Sequence, residues 1–135
     1  MSEAECKAIR SAKDAVLPLE SIRVIAVEQY GAGPFGTMFL ADLGAEVIKI
    51  EERVGGDPGR GVLSIAGALV GATSGPNFYF EANNRHKKSL TLDLKKPEAK
   101  EIVYKLIKKS DVFVQNFRKG VGGRLGLDYQ TFTKT

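Results

Sequence analysis

The stretch VIAVEQYGAGPFGTMFLADLGAEVIKIE, residues 24–51, decides the fold of this chain. A β-branched apolar run at Arg23–Glu28 predicts a buried parallel strand, and a glycine-rich turn and a helix over residues 34–43 follow it. Gly44 is predicted to end the helix as the residue after its C-cap, and Glu46–Ile50 predicts a second strand. These elements form a βαβ unit, which places a ligand at the amino end of its helix.

The turn in this stretch, residues 31–36, reads GAGPFG, a literal G-x-G-x-x-G, and Glu51 lies 20 residues after Gly31. That spacing is typical of a nicotinamide-dinucleotide site, in which the acidic residue binds a ribose. Pro34 argues against this interpretation, because it removes one of the N–H groups that a helix start offers to a phosphate. A turn that needs glycine only for close packing is the second interpretation of the motif.

Further elements follow the βαβ unit along the chain. The glycine-rich residues 52–77 predict a long loop, and short strands are predicted at residues 77–82 and 89–94. Residues 97–109, which begin with Pro-Glu, predict a helix. Residues 111–115, DVFVQ, predict a third strong strand, and polar residues follow it at the sheet edge where open α/β sheets bind ligands.

Two of these helices have apolar residues at helical spacing. In the first helix, one apolar face is predicted from Phe35, Met38, Phe39 and the pair Asp42/Leu43. In the helix at 97–109, the predicted inner face consists of Ile102, Val103, Leu106 and Ile107. The alternation of strands and helices predicts an α/β fold that is Rossmann-like, with a mainly parallel sheet flanked by helices.

Composition limits the functions that this chain can carry. Its 135 residues, 43% of them hydrophobic, make one ordinary domain or a piece of a larger one. The net charge of +4 is mild and aromatic residues do not alternate with basic ones, so we expect no nucleic-acid binding. No apolar run approaches the ~20 residues that a membrane span needs. Because the charged start, MSEAECKAIRSAKD, also lacks the apolar core of a secretory signal, we expect a cytoplasmic protein without membrane attachment.

The titratable residues form no recognisable catalytic set. His86 is the only histidine and Cys6 the only cysteine, so the parts of a metal site or of a Ser–His triad are missing. Glu28 ends the first strand beside the glycine turn and is a candidate for a position in a cleft. The basic run at residues 85–88 predicts a solvated turn between strands, with attraction of a nucleotide phosphate as the alternative.

Four segments, taken in order, resemble the N-terminal part of the family III CoA-transferases. This group includes formyl-CoA transferase, the carnitine and bile-acid CoA-transferases and α-methylacyl-CoA racemase. The segments are residues 18–51, residues 55–61 (GGDPGRG), residues 84–103 (NRHKKSLTLDLKKPEAKEIV) and residues 111–129 (DVFVQNFRKGVGGRLGLDY). The resemblance implies a tail at 1–17 and an incomplete N-terminal CoA-binding domain at 18–135, with coenzyme A or an acyl-CoA as ligand and no metal.

The resemblance also implies a CoA site that is built from several loops. Gly31 and Ala32 would line the passage of the pantetheine arm, and Leu92 and Lys95 would border the adenine and the ribose. The remaining implied contacts, to the nucleotide and its phosphates, come from Asn116, Phe117, Arg118 and Arg124. Lysine and arginine suit this role, because CoA carries several phosphate charges.

Two positions depart from the family pattern. Glu52 stands where the family usually has arginine, so Arg53 is the candidate replacement for that phosphate contact. Lys119 replaces the proline of the usual Asn-Phe-x-Pro-Gly loop.

The family activity moves CoA from an acyl-CoA to a carboxylic acid, and the resemblance implies that an aspartate acts as its nucleophile. In the family, that aspartate lies beyond the part that corresponds to residues up to Thr135. The resemblance therefore assigns no catalytic residue to this sequence, and it leaves open whether this chain alone is active. The interlocked dimer of the family implies a homo-oligomer or a partner chain. An α-methylacyl-CoA racemase, an NAD-binding dehydrogenase domain and a non-enzymatic CoA-binding or assembly module are the alternatives.

Overall fold

The computed structural model describes residues 16–65, 67–69 and 77–134 of the chain. The strands are β1 (Arg23–Val27), β2 (Glu46–Glu51), β3 (Ser64–Ile65), β4 (Ala68–Leu69), β5 (Lys88–Thr91) and β6 (Val112–Gln115). The helices are α1 (Ala32–Asp42), a 3₁₀ helix (Pro58–Gly61), α2 (Phe78–Asn84), α3 (Pro97–Ile107), α4 (Val121–Leu125) and α5 (Tyr129–Phe132). Most of the predicted tail, residues 1–15, lies outside the described residues.

Four strands form one parallel sheet in the order β5-β2-β1-β6. All four strands were predicted at these places, with ends that differ by a few residues. Gly44 follows the end of α1 with a φ of +101°, which confirms its predicted place after the C-cap. The fold is therefore α/β, as the sequence predicts.

Strand β1 lies at the centre of the core because both of its faces are covered. Val24 and Ala26 belong to an apolar cluster with Ala41 of α1, whereas Ile25 and Val27 belong to a second cluster with Val103 of α3. Successive side chains of a strand point to opposite faces of the sheet. An uninterrupted apolar run is therefore what a doubly covered strand requires.

Helix α1 buries only part of its predicted apolar face. Its buried residues include Thr37 and Ala41, whereas Phe35, Phe39 and Leu43 are about half exposed. The rings of Phe35 and Phe39 touch edge to face at a centroid distance of 4.9 Å. Of the predicted apolar face, Met38 is buried. Phe35, Phe39 and Leu43 instead form an exposed apolar stripe, Phe35–Phe39–Leu43.

The strand predicted at residues 77–82 is wrong, because α2 occupies this stretch. The Asn77 side chain caps the helix by accepting a hydrogen bond from the Phe80 N–H at 3.0 Å. Its amide also donates to the carbonyl oxygens of Arg60 at 3.0 Å and Val62 at 2.7 Å. An asparagine N-cap outweighs the strand preference of the aromatic residues that follow it.

Two further predictions need correction. Within its described part, the loop predicted at residues 52–77 contains the 3₁₀ helix and the antiparallel pair β3–β4, while residues 70–76 lie outside the described residues. On α3, Val103 is buried as predicted, whereas Ile102 is exposed. The helix presents a narrower apolar face to the sheet than the sequence suggests.

Candidate functional site

An open cleft of about 680 Å³, solvent included, lies at the carboxyl edge of the parallel sheet. The ends of β1 and β2, the segment after β5 and the region after β6 all contribute to its walls. Its apolar lining consists of Val27, Ile50, Leu92, Leu94, Phe117 and Leu125. Ligands of open α/β sheets bind at this edge, and an apolar pocket with a few polar groups is the usual form of a small-molecule site.

The polar lining of the cleft is mainly acidic. It consists of Glu28, Gln29, Glu51, Glu52, Asp57, Asp93 and Lys95. The carboxylates are largely engaged with the protein itself. Glu52 accepts hydrogen bonds from the N–H groups of Val54 at 2.9 Å and Gly55 at 2.7 Å. Asp93 accepts one from the Lys95 N–H at 3.1 Å.

Glu51, the acidic residue of the nicotinamide interpretation, has both carboxylate oxygens occupied. Arg60 donates from Nε and Nη2 at 2.9 Å each, Ser89 from its hydroxyl at 2.9 Å, and Asp57 from its N–H at 3.1 Å. Burial works to raise the pKa of Glu51, but the hydrogen bonds from Arg60 and Ser89 outweigh it, and the pKa lies below its usual value. A ribose hydroxyl would have to displace these partners, which argues against an NAD site.

Behind the cleft lies a buried network of two ion pairs. Lys49 pairs with Asp57, and Lys87 pairs with Glu28 at 2.9 Å, with all four side chains almost completely buried. The Asn84 side-chain oxygen joins the pairs, because it accepts hydrogen bonds from Lys49 Nζ at 2.7 Å and Lys87 Nζ at 3.4 Å. Burial lowers the pKa of Lys87, although its ion pair with Glu28 opposes that effect.

This network holds the turn between β1 and α1. Asp57 pairs with Lys49 through Oδ2. Its other oxygen, Oδ1, accepts hydrogen bonds from the N–H groups of Tyr30 at 2.8 Å and Gly59 at 2.7 Å. Lys87 Nζ also donates to the Pro34 carbonyl oxygen at 2.8 Å. Glu28 accepts a hydrogen bond from the Thr37 hydroxyl at 2.7 Å. The turn that begins the βαβ unit is thus fixed by buried charges.

Asn116 joins the loop after β6 to the loop after β1. Its side-chain oxygen accepts from the Gln29 N–H at 3.0 Å, and its amide donates to the Gln29 carbonyl at 2.8 Å. Gly33 lies directly beneath, where a Cβ atom would come within 2.8 Å of Glu28 and 2.9 Å of Asn116. This glycine is therefore required for close packing, which was the second interpretation of the motif.

The basic run at residues 85–88 is not a solvated turn between strands, since it joins α2 to β5. Three of its residues form ion pairs, namely Arg85 with Asp42, Lys87 with Glu28 and Lys88 with Glu46. His86 lies at the surface. The run is largely neutralised by carboxylates, which weakens any attraction for a phosphate.

The structure places the predicted site residues in three groups. Leu92, Lys95 and Phe117 line the cleft. Asn116 supports the loops beside it, and Gly31 and Ala32 lie at the start of α1. Arg53, Arg118 and Arg124 are exposed and lie outside the lining.

Several lining residues were not predicted, among them Gln29, Asp93 and Leu125. Gln29 follows the end of β1 closely, and Asp93 follows the end of β5 in the same way. A position just beyond a parallel strand was the available signal for these two. Leu125 belongs to α4, and its place in the wall depends on how that helix packs.

Other site classes receive no support from the described ranges. Residues 16–65, 67–69 and 77–134 hold no group of three or more histidine, cysteine, aspartate or glutamate side chains placed to bind a metal ion. The helices of this part of the chain are also too short or too polar to cross a bilayer.

A parallel α/β sheet with a mainly apolar cleft at its carboxyl edge is the arrangement in which open α/β folds bind their ligands. The profile of CoA-transferase family III matches residues 19–135. The chain therefore belongs to CoA-transferase family III.

Curated relatives agree with this family. The chain is 42% identical over 124 residues to an acyl-CoA transferase of Fusarium pseudograminearum, an alignment that covers 90% of this chain and 27% of the relative. It is 39% identical over 117 residues to the succinate–glutarate CoA-transferase of Agrobacterium fabrum, covering 84% of this chain and 28% of the relative. The chain thus spans little more than a quarter of the length of these relatives.

Solved structures show the same relation. Rv3272 from Mycobacterium tuberculosis superposes with a TM-score of 0.76 at 36% identity, covering 90% of this chain and 32% of that one. A CAIB/BAIF family protein from Brucella suis superposes with a TM-score of 0.73 at 33% identity, covering 89% and 31%. The described fold corresponds to about a third of each of these chains.

Proposed function

We propose that this chain supplies the nucleotide-binding part of a CoA-transferase, which moves CoA from an acyl-CoA to a carboxylic acid. The observation that carries this proposal is the cleft at the carboxyl edge of the sheet in a chain of this family. Leu92 and Phe117 offer apolar walls to an adenine ring. The names of two relatives, an acyl-CoA transferase and a succinate–glutarate CoA-transferase, support the same reaction class.

Charge distribution separates the parts of the ligand in this proposal. Because the polar groups of the cleft lining are mainly carboxylates, the phosphates of CoA lie at its rim rather than inside it. Lys95 is the cation of the lining, and Arg118 and Arg124 are exposed after β6. These three side chains supply the positive charge for the phosphates. Arg53 is exposed outside the lining and remains a candidate for a more distant phosphate.

The covalent step requires a nucleophile that the described residues do not provide. In the family mechanism that the resemblance implies, an aspartate attacks the acyl-CoA. The described aspartates instead form ion pairs, turns, caps or a hydrogen bond with a backbone N–H, and they are Asp42, Asp57, Asp93, Asp111 and Asp128. We therefore propose that this chain binds CoA without turnover, and that the attacking carboxylate belongs to a longer polypeptide or to a partner chain.

Calorimetric titration of the purified chain with CoA and with NAD tests the binding proposal. We expect CoA to bind and NAD not to bind, because Glu51 is already saturated by Arg60 and Ser89. NAD binding in preference to CoA would contradict the proposal and would favour a dehydrogenase domain. Turnover of any acyl-CoA by this chain would contradict the absence of a nucleophile.

A matched pair of variants locates the ligand in the same titration. Lys95→Ala removes the cation of the lining, and we expect the dissociation constant of CoA to rise about two- to fivefold. Lys108→Ala removes an exposed cation that follows the last turn of α3, outside the lining, and serves as the control. Equal effects of the two variants would show that CoA does not occupy the cleft.

The apolar stripe Phe35–Phe39–Leu43 supports a second proposal, that this chain associates with another copy or with a partner chain. Its three side chains are each about half exposed and the Phe35 and Phe39 rings touch, and grouped exposed apolar residues are a feature of interaction surfaces. In sedimentation velocity we expect a species heavier than the monomer, which Phe35→Ser combined with Phe39→Ser reduces to the monomer. Tyr129→Ser, at another exposed aromatic residue, is the control. A wild-type chain that is monomeric at every concentration would contradict this proposal.

A further inference from the structure

Two tyrosines form an aromatic pair beside the cleft. The rings of Tyr30 and Tyr79 lie 5.7 Å apart between centroids, at an angle of 54°. Tyr30 directly follows Gln29, which lines the cleft. Tyr79 belongs to α2. The Tyr79 hydroxyl lies against Gly31, where a Cβ atom would come within 2.7 Å of it. The pair therefore borders the wall of the cleft that β1 provides.

Tyr30 is held in an unfavourable backbone conformation. Its φ of +70° lies in the left-handed region, which is uncommon and strained for a bulky residue. Its N–H donates to the buried Asp57 carboxylate, which fixes this conformation. The Tyr30 residue nevertheless remains 51% exposed. Strain at an exposed aromatic residue, maintained by a buried ion pair, is typical of a functional site rather than of a packing requirement.

The chemistry of the pair suits a planar, uncharged group. Neither tyrosine hydroxyl makes a hydrogen bond with the residues that the structure describes. Burial raises the pKa of Tyr79, and Tyr30 and Asp57 add to that effect, so this hydroxyl remains a neutral donor. The lysines that hold the adjoining turn, Lys49 and Lys87, are buried in ion pairs and offer no free charge to a carboxylate. The exposed Tyr30 ring offers stacking to such a group.

We propose that the Tyr30–Tyr79 pair receives the acyl group of the acyl-CoA and selects an aromatic acyl group over a dicarboxylic one. This inference rests on the proposed function, because it needs the nucleotide of the ligand in the cleft. It differs from what the name of the succinate–glutarate CoA-transferase relative states for that protein. Among the residues that the structure describes, a second carboxylate would find no free cation at the pair, whereas a benzene ring would gain aromatic contact.

Titration of the chain with CoA, benzoyl-CoA and succinyl-CoA tests this inference. We expect benzoyl-CoA to bind roughly three- to tenfold more tightly than CoA, and succinyl-CoA to show no such gain. Tyr30→Gly removes the ring and keeps the N–H that donates to Asp57. Because glycine adopts a φ of +70° readily, we expect the variant to fold. In Tyr30→Gly we expect the ratio of the CoA and benzoyl-CoA dissociation constants to fall to about one.

The control is Tyr129→Ala, which removes an exposed tyrosine from α5 and should keep the wild-type ratio. A gain for succinyl-CoA equal to that for benzoyl-CoA, or an unchanged ratio in Tyr30→Gly, would overturn the inference while leaving the proposed function intact. Failure of CoA itself to bind would refute the proposed function, and the inference with it. The two failures are distinguishable because CoA carries no acyl group.

Discussion

Replacing Asp57 by asparagine is expected to destabilise the fold by about 3–5 kcal/mol, since the change leaves the buried Lys49 ammonium without its partner. Asparagine has nearly the same shape and still accepts the hydrogen bonds from the N–H groups of Tyr30 and Gly59. The loss therefore reports the charge rather than the turn geometry. Urea denaturation, followed by circular dichroism, gives the free energy of unfolding for comparison with the wild type.

The same substitution at Asp93 is the matched control. Asp93 also lines the cleft, but it is only half-buried, and its side chain accepts a hydrogen bond from the Lys95 N–H. Asp93→Asn should change stability by less than about 1 kcal/mol. The double variant Asp57→Asn/Lys49→Met should regain part of the loss, because it removes both charges from the interior. If Asp57→Asn were as stable as Asp93→Asn, the ion pair would not hold this site together.

The sequence predicts most of the sheet because its signals are local. An apolar run such as Arg23–Val27 shows that a strand is covered on both faces, and Gly44 marks the end of α1 with a conformation that glycine adopts readily. These features depend on a few neighbouring residues. The parallel pairing of β1 with β2 follows from the short crossover between them.

The errors arise where partners distant in sequence decide the outcome. Residues 77–82 have the composition of a strand, but the Asn77 cap and its hydrogen bonds to Arg60 and Val62 favour a helix. The stripe on α1 is apolar, yet Thr37 faces the core because Glu28 and the sheet approach that side closely. Periodicity identifies an apolar face without showing what covers it.

The candidate site shows the same division. The carboxyl edge of the sheet was predictable from strand positions, and the family resemblance selected Leu92, Lys95 and Phe117, which line the cleft. The hydrogen bonds that occupy the Glu51 carboxylate were not predictable, because their donors Arg60 and Ser89 come from two other segments of the chain. A motif that counts residues from a glycine to an acid does not show whether that acid is free to bind a ligand.

Replacing Lys87 by methionine is expected to cost about 3–5 kcal/mol of stability, although Lys87 lies in a run that reads as a surface turn. The substitution leaves Glu28 buried without its cation, and it removes the hydrogen bond to the Pro34 carbonyl at the start of α1. Lys88→Met is the matched control, because the Lys88 side chain is 69% exposed and the Lys87 side chain is 2% exposed. The control should lose at most about 1 kcal/mol. Equal losses in urea denaturation would show that burial does not distinguish these adjacent lysines, and that Lys87–Glu28 does not fix the turn beside the cleft.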